Sequence, residues 1–96
     1  MACSVVASPS FARIAKKMHA GGKAVLDQAV KAVAANPSVG EEKRGDLAGV
    51  FVYKFKLNHQ ETLLAYALSP SKTQPETVAL LAVGFHENCY AQLKRQ

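Results

Sequence analysis

Lys54 and Lys56 stand two residues apart in the run Val50-Phe51-Val52-Tyr53-Lys54-Phe55-Lys56-Leu57, and His86 and Tyr90 stand four apart near the C-terminus. Two cations at period two project from the same side of a strand, about 6–7 Å apart. That separation suits consecutive phosphates of a nucleic-acid backbone, or the charge that builds on a phosphate oxygen during transfer. A merely solvated strand face carries the same pattern. His and Tyr at i and i+4 share one face of a helix. An imidazole titrates near neutrality and a phenol can donate or hold a proton. With a cationic clamp, they supply what cleavage of RNA through its own 2′-hydroxyl requires. Purely structural roles for both remain open, and Glu87 is a further candidate base. His19 and His59 have no partner identifiable from the sequence.

The lysine pair must be held by the strand that carries it. Read at period two, Phe51, Tyr53, Phe55 and Leu57 form an apolar face, and Val50, Val52, Lys54 and Lys56 form the opposite one. The apolar face needs a covering layer. The opposite face is then free to act as a basic working surface.

Two helices are predicted to supply the cover. Ser8-Pro9 reads as an N-cap followed by proline at the first helical position. Phe11, Ile14, Ala15 and Met18 follow as an apolar stripe, and this helix is expected to end at Gly21-Gly22. A second helix, from Lys23 to Ala35, buries Leu26, Ala29, Val30 and Val33 and stops at Asn36-Pro37. The glycine pair between them favours an antiparallel hairpin.

The segment 38–49 is polar and glycine-containing and reads as a loop, without phosphate-loop spacing. Asn58 to Glu61 is expected to turn the chain into a central strand over Thr62–Leu68. After a loop containing Pro70 and Pro75, Thr77–Val83 is a third strand, apolar enough to be buried on both faces, closed by Gly84. Phe85 to Gln96 reads as a short terminal helix. Cys3 to Ala7 is an edge strand or a frayed tail.

The expected fold is therefore α+β: an N-terminal helix hairpin on a small antiparallel sheet of three to four strands, with a short C-terminal helix, in one domain spanning 1–96. Twelve Lys+Arg against seven Asp+Glu give a net charge of +5, compatible with a polyanionic partner without demanding one. No apolar run approaches the ~20 residues of a membrane span, and a signal peptide's basic flank and apolar core are missing, so the expected compartment is the cytoplasm. The two cysteines, Cys3 and Cys89, are expected to be reduced thiols, and no Cys or His spacing suggests a metal site.

Three stretches, Asp46 to Lys56, Thr62 to Tyr66 and Val83 to Tyr90, together with the Gly45-Asp46-Leu47-Ala48-Gly49 approach to the strand and the helices ending at Asn36-Pro37, resemble the RelE/ParE superfamily of bacterial type II toxins. The resemblance covers nearly the whole chain and rests on the ordered set rather than on one motif. It implies helices on one face of an antiparallel sheet and a basic concave face opposite. The RelE branch cleaves messenger RNA in the ribosomal decoding site without a metal or other cofactor, whereas the ParE branch poisons DNA gyrase. By resemblance, Lys54 and Lys56 orient the RNA backbone, His86 acts in proton transfer, and Tyr90 stacks on the substrate base or assists the chemistry. Many ribonuclease members carry a phosphate-stabilising arginine at the start of the second strand, where Thr62 stands here; either Lys54 or Arg95 compensates or this member has another target. The resemblance also implies a cognate antitoxin covering the basic face, and no membrane partner. A non-catalytic basic module that binds nucleic acid is the remaining alternative.

Overall fold

The computed structural model describes residues 4–18, 20–43, 45, 49–57, 59–69 and 76–84. The chain runs β1 (Ser4–Ala7), α1 (Pro9–Lys16), α2 (Ala20–Ala35), a 3₁₀ turn (Pro37–Val39), β2 (Glu41–Glu42), β3 (Val50–Leu57), β4 (Gln60–Ser69) and β5 (Thr77–Gly84). Five strands form one sheet in the order β1-β5-β4-β3-β2. Both helices pack on the same side of it, α1 against β5 and α2 against β3. No described helix is long and apolar enough to cross a membrane.

Strand β3 has the boundaries its alternation predicts. Phe51 lies in the helix-covered core, Tyr53 and Phe55 pack against it, and the Leu57 side chain reaches Gly22 of α2. Strand β4 is the central strand, fully buried from Leu63 to Tyr66. Leu64 and Tyr66 join the helix-side core with Phe11, Leu26, Ala29 and Val33.

The sheet is larger than the three to four antiparallel strands expected, and it is mixed. Strand β1 pairs parallel with β5, and Glu41-Glu42 pairs with Val52 and Phe51. β1 takes the edge-strand alternative read for Cys3 to Ala7, though its parallel pairing was not foreseen, and β2 was not legible as a pattern. A two-residue strand of glutamates is defined by its backbone ladder, and β1 is exposed at every residue, so burial imposes no alternation on it.

The helices also depart from the hairpin expected. α1 ends at Lys16, with Lys17 N–H on Ile14 O at 3.1 Å and Met18 N–H on Ala15 O at 3.2 Å, a tightening of the last turn that uses up its free carbonyls. Gly21 and Gly22 do not separate the helices but lie in the first turn of α2. There an interior glycine does least harm, and Gly22 leaves room for the Met18 methyl, which would lie 3.3 Å from any Cβ added at that position. A crevice of about 390 Å³ lies along the two helices, with Phe11, Ala15, Leu26, Val30 and Leu80 in its walls. Each helix is anchored on its own strand. The expected C-terminal helix lies outside the described residues.

The β4–β5 register shifts between Ala65 and Tyr66: Ala65 faces Ala82 but Tyr66 faces Leu80, leaving Leu81 as the extra residue of a bulge. The bulge reverses the alternation of β5. Val78 and Leu80 face the helices, and so does Val83, although it is an odd number of residues away. Ser8 clamps this point. Its Oγ accepts from Phe11 N–H at 3.1 Å, capping α1, and donates to Leu81 O at 3.2 Å, while its N–H bonds Leu80 O at 2.9 Å. Ser8→Ala is expected to cost about 1–2 kcal/mol, the value of a lost cap, read as a shift in urea midpoint at constant m-value.

Tyr66 ties the sheet to the connection leaving α2. Its ring stacks on Phe51 at 5.6 Å, its hydroxyl donates to Pro37 O at 2.7 Å, and it accepts from Gly40 N–H at 2.9 Å. Burial raises the phenol pKa above its ordinary value of 10.0, and the Gly40 N–H, which favours the phenolate, offsets only part of this. The unfolded chain therefore loses the Tyr66 proton first as pH rises. Stability from this group is complete below pH 10 and falls as pH climbs from there towards the folded-state value. Alkaline unfolding curves of wild type and Tyr66→Phe are expected to converge above that point.

Candidate functional site

Strand pairing decides what shares a face with the lysines. Lys54 lies opposite Leu63 and Lys56 opposite Glu61, across an unbroken antiparallel register. Both lysines are exposed and point away from the helices. Among the described residues neither has an ion-pair partner within 4 Å. Beyond Val52, β2 no longer accompanies β3, so among the described residues no strand pairs with the outer edge of β3 at Lys54 and Lys56. Lysines on such an edge discourage strand-to-strand aggregation, which is the structural role available to them.

The lysine-bearing face is not basic throughout. Val52, Leu63, Ala65 and Ala82 form a second buried apolar cluster on it, with Val50 and Leu81 packed against them. Among the described residues the basic part of this face is its hairpin end, where the sequence puts the lysines and where Lys54, Lys56 and Glu61 converge. Glu41, further along the face opposite Val52, pairs with Lys43 at 3.9 Å.

Thr62 does not occupy the position assigned to it. It pairs with Phe55 and has the same parity as Leu64 and Tyr66, so it belongs to the helix side of the sheet. It is 2% exposed, and its hydroxyl donates to Gln60 O at 3.2 Å. An arginine there would point away from Lys54 and Lys56. The strand-start position that shares their face is Glu61.

Glu61 was placed in the turn by sequence reasoning because Asn58 to Glu61 is uniformly polar. The turn is shorter: Leu57 pairs with Gln60, so only two residues separate the paired strands. His59 takes the left-handed conformation such a loop demands, φ 68°. Counting outward from a two-residue loop is the signal that finds Glu61.

His86, Tyr90 and Arg95 lie outside the described residues, as do Glu87, His19, Cys3 and Cys89. Of the predicted site residues, the structure describes Lys54 and Lys56, together on one face.

The chain was compared with known proteins. No curated protein sequence matches it. Among solved structures, it resembles a chain of the toxin–antitoxin complex RelBE2 from Mycobacterium tuberculosis with a TM-score of 0.72 and 23% identity, over 90% of this chain and 100% of that one. It also resembles a doubly substituted E. coli toxin RelE in the free state, with a TM-score of 0.72 and 20% identity, over 99% and 98% of the two chains. These likenesses establish a RelE-like fold. A family model described as the ParE-like toxin of type II bacterial toxin–antitoxin systems matches residues 5–94. Nearly the entire length is thus accounted for, and the chain belongs to the ParE-like toxins of type II bacterial toxin–antitoxin systems, within the RelE/ParE superfamily.

Proposed function

We propose that this toxin is a ribosome-dependent endonuclease that cleaves translated mRNA, acting in the cytoplasm and held inactive by its antitoxin. The observation that carries this reading is the exposed Lys54–Lys56 pair on one strand of a RelE-like fold, at phosphate spacing and without ion-pair partners among the described residues. In this reading Lys54 and Lys56 hold successive phosphates, Lys54 adds charge stabilisation at the scissile one, His86 exchanges protons, Tyr90 stacks on a base, and Arg95 adds a phosphate contact. The attacking group is the RNA's own 2′-hydroxyl, so the side chains supply the chemistry without a metal.

The description of the matching family as ParE-like favours DNA gyrase as the alternative target. Brief expression in bacteria without antitoxin separates the two. Mapping new 5′ ends across the transcript pool is expected to reveal cuts confined to translated frames, and His86→Ala is expected to abolish them. Growth arrest with intact mRNA and trapped gyrase–DNA complexes would instead assign the toxin to gyrase.

A further inference from the structure

We propose that Glu61 is the general base of this cleavage, a role that rests on the ribonuclease reading above. Attack by a 2′-hydroxyl on the adjacent phosphorus demands a base right beside the group that clamps that phosphate, because the two reacting atoms belong to one nucleotide. Lys56 and Glu61 are direct cross-strand partners on one face. Their Cβ atoms are therefore about 4.5–5.5 Å apart, with Lys54 one pleat further along. Both Glu61 and Lys56 are exposed, and no ion pair within 4 Å engages either among the described residues. The carboxylate is therefore available to a substrate rather than consumed by the fold.

The other described groups leave Glu61 alone in this position. Glu41 lies towards the opposite end of β3 and is paired with Lys43. Glu42 faces the other side of the sheet, opposite Phe51. Strand β5 ends at Gly84, opposite Leu63, and its described residues bring no titratable side chain to this face. Among the described residues, the charged and titratable groups around Glu61 are thus Lys56 and Lys54 from β3 and His59 from the hairpin tip.

In the step assigned to it, the Glu61 carboxylate takes the 2′-hydroxyl proton as the O2′–P bond forms and the P–O5′ bond breaks. Lys56 and Lys54 bear the charge gathering on the non-bridging oxygens. The departing 5′-oxygen takes a proton from water. The products are a 2′,3′-cyclic phosphate and a 5′-hydroxyl, with no atom or electron left over.

The test is single-turnover cleavage on ribosomes programmed with mRNA, followed across pH with full-length toxin. Glu61→Gln, at an exposed position, is expected to fold normally and bind programmed ribosomes as wild type does, yet cleave about 100-fold more slowly or worse. The fall in wild-type rate on acidification is expected to vanish in this variant, and Glu61→Asp is expected to retain an intermediate rate. A Glu61→Gln protein that cuts at the wild-type rate, keeps the acid-side fall, or loses rate only in step with ribosome binding overturns the assignment. If wild type leaves ribosome-bound mRNA whole, the ribonuclease reading itself fails, an outcome distinct from an inactive variant beside an active parent.

Discussion

Lys54→Glu combined with Lys56→Glu is expected to abolish mRNA cleavage, lowering single-turnover rate by more than about a thousandfold. Loss of one preorganised charge contact to a developing oxyanion costs roughly a hundredfold to a thousandfold. Reversing both charges also repels the substrate backbone that the pair is meant to hold. The protein itself has little reason to notice. Both side chains are exposed and lack ion-pair partners among the described residues, so the stability is expected to fall by no more than about 1 kcal/mol, chiefly because Glu61 lies directly opposite position 56. Lys54→Ala and Lys56→Ala singly should each show a smaller loss with the same intact fold. Undiminished growth arrest by the doubly reversed variant would sink the mRNA-clamp reading. Solubility should be followed in parallel, since these lysines also lie on a sheet edge that no described strand covers.

The second large effect concerns stability. Gly40→Ala is expected to destabilise by about 2–4 kcal/mol, within the range for overpacking a filled site. Gly40 has φ −82° and ψ 164°, a conformation open to any residue, so the demand is for space alone. An added Cβ would collide with the Tyr66 hydroxyl and meet two of its ring carbons at 3.0 Å. Tyr66 has no room to withdraw: it is 0% exposed, stacked on Phe51 and bonded to Pro37 O. Tyr66→Phe alone should cost about 1–3 kcal/mol by stranding the Pro37 carbonyl and the Gly40 N–H. The two changes share one contact and should not add, the double variant being less destabilised than the sum because the hydroxyl has gone. Additive costs in chemical denaturation would mean the contact is not the source of the strain.

What could be read from the chain beforehand followed the strength of its periodicities. Strand β3 was legible to the residue because large apolar and charged groups alternate from Tyr53 to Leu57 and Phe51 continues the apolar face at the same period. Helix α2 was legible through Leu26, Ala29 and Val33, all buried. The failures occur where side-chain type carries no trace of geometry. Gly21-Gly22 looks like a break, but it suits the first turn of a helix that needs room for Met18. Thr77–Val83 is apolar at nearly every position, so nothing in its composition marks the bulge at Leu81. The face of Thr62 depended on a turn two residues long rather than four, and that one difference moved the site's polar partner to Glu61. That Lys54 and Lys56 share one face of a strand was legible from spacing alone.

The parallel pairing of β1 with β5 bears on when this toxin comes into being. Ser8 and Leu81, bonded to one another, are 73 residues apart. Contacts of such long range form late, after the intervening chain has closed its local pairings. Until β5 arrives, β1 has no strand to pair with and one edge of β4 is bare, so an antitoxin that meets the chain early meets strand edges that the finished sheet covers.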